Sequence, residues 1–255
     1  MTILNLPGNT HVAADKEQLF EDLGKALLSA AIKAVEARGV FHMALSGGGT
    51  PEPFYIRMVT DPMFRAFPWE QTHIWIVDER QVAEDHEKSN IRMIREAMTS
   101  QATIPSRQVH AMPVLTDDPA GEYEGALSEA FGMQVGDGIP AIDFILLGMG
   151  GDNHTASLFP QSPALQIMDR WIATNDGELV VPPPRVTMTY PLINHGRELV
   201  VLLAGAGKYE ALKILSDQLE QVGPDIENLP ISGIDPSANG GTLTWYLDEA
   251  AATGA

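Results

Sequence analysis

Short apolar runs, each ending in a glycine-rich or charged segment, recur along this chain and constrain its fold more than any other feature. Val40-Phe41-His42-Met43-Ala44-Leu45 leads into Ser46-Gly47-Gly48-Gly49-Thr50-Pro51, and His73-Ile74-Trp75-Ile76-Val77 into Asp78-Glu79-Arg80. Residues 142–147 lead into Gly148-Met149-Gly150-Gly151-Asp152-Asn153-His154, and residues 199–204 into Gly205-Ala206-Gly207-Lys208. Runs of this length, rich in branched and aromatic residues, read as buried strands. The segments between them read as helices. Residues 15–38 place Leu19, Leu23, Leu27, Ile32 and Val35 at helical spacing, with Gly39 as a stop. Thr50 is expected to cap a helix that has Pro51 in its first turn. Ser89 or Asn90 is expected to cap another through Met98, residues 119–131 read as a third, and a fourth opens at 205–208 and runs to about Val222. Strands alternating with helices predict an α/β fold: an open, mostly parallel, doubly wound sheet of Rossmann-like type with helices on both faces. Residues 160–190 are less regular, and Pro182-Pro183-Pro184 marks an extended connection.

The chain has 255 residues, a length that suits one domain spanning 1–255. No run of about 18 apolar residues occurs and no cationic, then apolar, leader opens the sequence, so a protein that stays in the cytoplasm is expected. There is no cysteine, which excludes a thiol nucleophile, a disulfide framework and a cysteine-zinc site. The 34 acidic residues outnumber the 16 basic ones for a formal net charge of −18, a field that opposes binding to nucleic acid or to an anionic membrane. A small anion is still a possible ligand, since a few placed cations and backbone N–H groups dominate locally.

In an open parallel sheet, ligands bind beyond the carboxyl ends of the strands. Four such ends here carry glycine, acid, base or histidine. Ser46 to Pro51 suits a phosphate, with glycines that permit close backbone approach and a helix start behind them; a plain tight turn is the alternative. Neither nucleotide fingerprint is met: position six of the G-x-G-x-x-G pattern is Asn153, and GAGKY lacks the upstream glycine and the final hydroxyl of a P-loop. A G-x-S-x-G elbow and an H-E-x-x-H pair are absent. His154 is a candidate general base with Asp152 to orient it, against the alternative of a loop-packing histidine. Asn153 suits a left-handed conformation that sets the angle between these two. His42 and His73, at strand starts, read as packing or surface residues. Arg185 and Lys208, beside strand-end loops of an acidic chain, read as anion clamps rather than solvated surface.

Taken together, ALSGGGTP, WIVDER with Ser89-Asn90, ILLGMGGDNHTASLFP, PPPRVTMTYPLIN, LLAGAGKYEAL and LTWYLDEAA resemble the 6-phosphogluconolactonase family, in order, from about residue 40 to 250. That family is similar in fold to glucosamine-6-phosphate deaminase. The resemblance implies hydrolysis of 6-phosphoglucono-δ-lactone in the oxidative pentose phosphate pathway, with no cofactor and no metal, by a monomer or small homo-oligomer. It implies His154 as the base that activates water, Asp152 as its orienting partner and Asp78 near the sugar. Ser46, Gly47, Gly48 and Thr50 are then expected to hold the phosphate, Arg185 and Lys208 to assist them, and Arg80 to lie near the phosphate or the sugar. The family usually has glycine where this chain has Asn153. The alternatives are a deaminating isomerase, disfavoured because Phe159 stands where that family has a glutamate, and a non-catalytic sugar-phosphate sensor.

Overall fold

The computed structural model describes residues 4–134, 136–176, 179–180 and 183–255. In chain order the elements are β1 (Asn9–Ala13), α1 (Lys16–Arg38), β2 (Phe41–Leu45), α2 (Glu52–Thr60), β3 (Thr72–Ile76), β4 (Asp78–Arg80), α3 (Asn90–Ile94), β5 (Val109–His110), α4 (Pro119–Phe131), β6 (Phe144–Leu147), β7 (Ile172–Asn175), β8 (Arg185–Met188), α5 (Tyr190–Ile193), β9 (Glu198–Leu203), α6 (Tyr209–Gln221), β10 (Thr242–Asp248) and α7 (Glu249–Thr253). Seven strands form one sheet in the order β1-β10-β9-β6-β2-β3-β5, every pairing parallel. Residues of β2, β6 and β9 are almost all buried without alternation, as expected of strands covered on both faces. Among the described residues, no helix is long and apolar enough to cross a membrane.

α1 begins where Asp15 accepts the Gln18 N–H at 2.8 Å and stops at Gly39, whose φ of 76° is the left-handed turn that glycine adopts freely. Its buried face runs through Leu19, Leu23 and Leu27 and continues through Ala30, Ala31 and Ala34. Ile32, expected on that face, lies off it and is 37% exposed; the alanines hold the helical phase and let the helix approach the sheet. Ser89 caps α3, accepting from Arg92 N. After Ile94 the helix widens by a residue per turn, Ser100 N reaching back to Arg95 O. Thr50 does not cap: α2 follows Pro51, and no side chain accepts from its first turn.

Asp78-Glu79-Arg80, read from the sequence as the charged end of the run at His73, is itself a strand. Asp78–Arg80 pairs antiparallel with β8, which pairs antiparallel with β7, so a small second sheet stands beyond the carboxyl end of β3. Met188 N donates to Val77 O at 2.8 Å and joins the two sheets. Glu124, buried on α4, accepts from Trp171 N, Ile172 N and the Arg170 guanidinium and anchors the start of β7. Pro183 and Pro184 lead into β8; Pro182 lies outside the described residues, as do parts of 160–184.

At the opposite end of the sheet His42, His73 and His110 pack together with aromatic rings. Trp75 lies flat on His110 at 3.7 Å, and its Nε1–H donates to His42 Nδ1 at 3.1 Å, a bond that requires a neutral imidazole. Burial, with added repulsion from His73, His110 and Arg38, depresses His42 to about 3; burial and His73 depress His110 to about 4. Both groups bind a proton more readily in the unfolded chain, near its ordinary value of about 6.5. Their contribution is thus fully present above that value and is lost as pH falls from about 6.5 towards 3 to 4. The denaturant midpoint should fall between pH 7 and pH 5, and His42→Gln should flatten that dependence; a midpoint equally steep in the variant would show that His42 is not a source of it.

Candidate active site

The chain steps outward from β2 to β3 and β5 on one side, and from β6 to β9 and β10 on the other. The loops leaving β2 and β6 therefore diverge from adjacent strand ends, the place where an open parallel sheet leaves a crevice. Ser46 N donates to Leu146 O at 3.1 Å and closes the pairing at this point. A cavity of about 350 Å³ lies there. Ser46, Gly47, Gly48, Thr50, Asp78, Arg80, His154, Arg185 and Lys208 all line it. Asp152 stands behind His154 rather than on the wall.

In the loop after β2, Gly48 has a φ of 112°, and a Cβ on Gly47 would lie 1.8 Å from Asn90 Oδ1. Both positions thus need glycine, one for its conformation and one for close approach. The N–H groups of Gly47, Gly48, Gly49 and Thr50 meet no acceptor among the described residues, and α2 begins directly behind them. The Ser46 Oγ is buried and likewise unpartnered. Unpaired donors at a helix start make an anion cradle.

The loop after β6 carries the histidine. Asn153 has a φ of 63°, the left-handed conformation expected of it. The turn brings Asp152 Oδ1 to 2.5 Å from His154 Nδ1 and 3.2 Å from His154 N. An ionised carboxylate only accepts, so the hydrogen sits on Nδ1 and the Nε2 lone pair is left as the ring's acceptor. Burial acts to raise the Asp152 carboxyl, but the charge and hydrogen bonds of His154 outweigh it and hold the group below its ordinary value. Phe159 packs 4.6 Å from the imidazole, ring centre to ring centre, and the Arg185 guanidinium stands 5.6 Å over the same phenyl ring.

β4 and β8 bring the charged wall. Asp78 and Arg185 are almost fully buried, and Arg80 faces Arg185 across the strand pair. Burial, then the neighbouring Arg80, lowers Arg185 from its ordinary value, while Asp78 and Glu79 act the other way. Arg80 donates to Lys88 O at 2.7 Å, and its Nε is buried without a partner. Lys208 Nζ donates to Met149 O at 2.6 Å, so this cation also ties the turn after β9 to the histidine loop. Burial lowers the Lys208 ammonium, with Asp152 opposing.

Several residues that sequence reasoning did not single out hold this geometry. A Cβ on Gly150 would fall 2.1 Å from His154 Nδ1 and 2.5 Å from Asp152 Oδ1, so only glycine leaves room for the pair. Ser157 Oγ donates to Asp78 Oδ2 at 2.5 Å and fixes the carboxylate. Glu79, pushed up by burial and opposed by its hydrogen bonds, accepts from Asn90 N, Ile91 N, Arg80 N and Ser89 Oγ. Asn90 in turn donates to Asp78 O at 2.7 Å and packs on Gly47. The Ser89-Asn90 pair was the one available signal, legible as a cap but not as the clasp between β4 and the glycine loop.

The family model of the glucosamine-6-phosphate isomerases and 6-phosphogluconolactonase matches residues 14–245. A 6-phosphogluconolactonase of Synechocystis sp. is 41% identical over 246 residues, covering 94% of this chain and 95% of the relative. One of Nostoc sp. is 40% identical over 225 residues, covering 86% of each. Among solved structures, the 6-phosphogluconolactonase of Thermotoga maritima superposes with a TM-score of 0.75 at 26% identity, over 94% of this chain and 99% of that one. The chain belongs to the glucosamine-6-phosphate isomerase/6-phosphogluconolactonase family.

Proposed function

We propose that this chain hydrolyses 6-phosphoglucono-1,5-lactone to 6-phosphogluconate, the lactonase step of the oxidative pentose phosphate pathway, and that residues 1–255 form one domain built for it. The observation that carries the reading is the Asp152–His154 pair facing an amide cradle across one cavity. The cradle of Ser46, Gly47, Gly48 and Thr50, with Arg185 and Lys208, takes the phosphate; Asp78 and Arg80 meet the sugar. Anchoring the remote phosphate positions C1, and that binding energy lowers the barrier at the reacting centre. His154 Nε2 accepts a proton from water as the water oxygen bonds to C1, and a loop N–H stabilises the oxyanion. Collapse breaks the bond between C1 and the ring oxygen, which takes the proton from His154; the product acid then ionises to carboxylate. Asp152 holds the tautomer throughout.

Phe159 supports this reading over the deaminating isomerase, since it gives the imidazole an apolar neighbour in place of a carboxylate. The acidic surface supports a small phosphorylated substrate rather than nucleic acid or membrane. A cysteine-free chain suits the cytoplasm, where we place it as a monomer or small homo-oligomer.

Acid release from fresh 6-phosphoglucono-1,5-lactone should greatly exceed the spontaneous rate and be unchanged by EDTA. His154→Ala should lose about a hundredfold to ten-thousandfold. Glucosamine 6-phosphate should release no ammonia. Hydrolysis indifferent to His154 would overturn the mechanism, and tight binding of 6-phosphogluconate without turnover would replace the enzyme with a sensor. Gly150→Ala should lower kcat about a hundredfold with KM little changed and the circular dichroism spectrum retained, since it displaces the imidazole by roughly an ångström.

A further inference from the structure

Three residues other than glycine have a positive φ among the described residues: Asn153 at 63°, Ala156 at 50° and Gln161 at 58°. All three lie in the segment that carries His154. Left-handed backbone is disfavoured for a residue with a Cβ, so contacts from outside must favour this conformation. The segment 225–233, which follows α6, supplies them. Ile231 N donates to Asn153 O at 3.0 Å, and Gln161 N donates to Glu227 O at 2.8 Å. Two of the three left-handed residues thus bond through their backbone to the same strap. Side chains add to this, Gln161 Nε2 reaching Asn228 Oδ1 at 3.3 Å and Gln166 Nε2 reaching Glu227 Oε2 at 3.1 Å.

The strap has its own frame. The Asp225 carboxylate accepts from Asn228 N at 3.2 Å and Asn228 Nδ2 at 2.9 Å, and Asp225 N donates to Ser232 Oγ at 2.9 Å. Tyr190 on α5 fastens it to the body of the protein, its hydroxyl donating to Pro230 O at 2.7 Å. None of these strap residues lines the cavity. We propose that segment 225–233 is a positioning element for the reaction: it holds the histidine loop in its left-handed conformation, with Asp225 and Tyr190 as the residues that fix it. The proposal rests on His154 as the base, and it explains how this chain accepts asparagine at position 153. Because the strap touches the histidine loop and not the phosphate cradle, loosening it acts on kcat rather than on KM.

The test uses the full chain with Asp225→Ala and, separately, Tyr190→Phe, read by steady-state lactone hydrolysis and by amide hydrogen exchange. Each variant is expected to lower kcat three- to thirtyfold with KM within twofold, and to speed exchange over residues 148–162 as well as over 225–233. Adding Asn153→Gly to Asp225→Ala should recover part of the lost kcat, because glycine reaches positive φ without a Cβ penalty. Faster exchange confined to 225–233, with kcat unchanged, would overturn the proposal. Unaltered exchange in the strap itself would overturn the assignment of Asp225 and Tyr190. The exchange measurement does not depend on turnover: an intact protein that hydrolyses no lactone would end the functional reading, while exchange over 148–162 would still decide whether the strap holds the loop.

Discussion

The hydrogen bond from Ser46 N to Leu146 O is the last rung between β2 and β6, and it sets how far apart the amide cradle and the histidine loop stand. Parallel strands lie just under 5 Å apart. Two loops rooted on adjacent strands and diverging from them leave a gap of the size of one small molecule. The burial of both strands makes this seam rigid, so a side chain placed by either loop inherits the precision of the sheet. The second sheet, the clasp of Glu79 and Asn90, and the cation from the turn after β9 all close on that gap from its sides.

The electrostatics of the cavity oppose those of the whole protein. A chain with a net charge of −18 sets Arg80 and Arg185 side by side across one strand pair, and buries most of one of them. Like charges so placed cost stability, and Asp78 and Glu79 offset part of that cost. Glu79 is itself held by backbone and side-chain donors. A fixed array of this kind needs no reorganisation to meet an anion, and the same fixed charges make the empty fold less stable.

Much of this was legible in the residues. The runs at Val40, His73, Ile142 and Leu199 became β2, β3, β6 and β9 with boundaries shifted by a residue or two, because apolar runs that end in glycine or charge are strong local signals. The converging strand ends followed from topology alone. The antiparallel sheet of β4, β7 and β8 was not legible: its strands are three or four residues long, and β4 pairs with a segment about a hundred residues further along the chain. Asn153 could be read because asparagine is a local signal for a left-handed turn. Gly47 could not be read as a steric necessity, since the Asn90 atoms it accommodates arrive only through the tertiary fold, and Gly150 could not because the fold of its own turn decides where the His154 ring lies. Ile32 misled for the complementary reason: an apolar residue near the right phase is outcompeted by alanines that allow a closer approach.

The order of strands also bears on how the molecule assembles. β2 and β6 bring together positions such as His42 and Asp143, 101 residues apart, whereas the edge formed by β1 and β10 joins Pro7 to Trp245, 238 residues apart. The entropy of closing a loop grows with its length, though slowly. The seam that bears the cavity therefore lies on the shorter closure, and the edge strand on the longest. A folding intermediate in which the central strands are paired and β1 is still free would already contain the site in outline, while exposing one side of β10 as a raw strand edge open to the wrong partner.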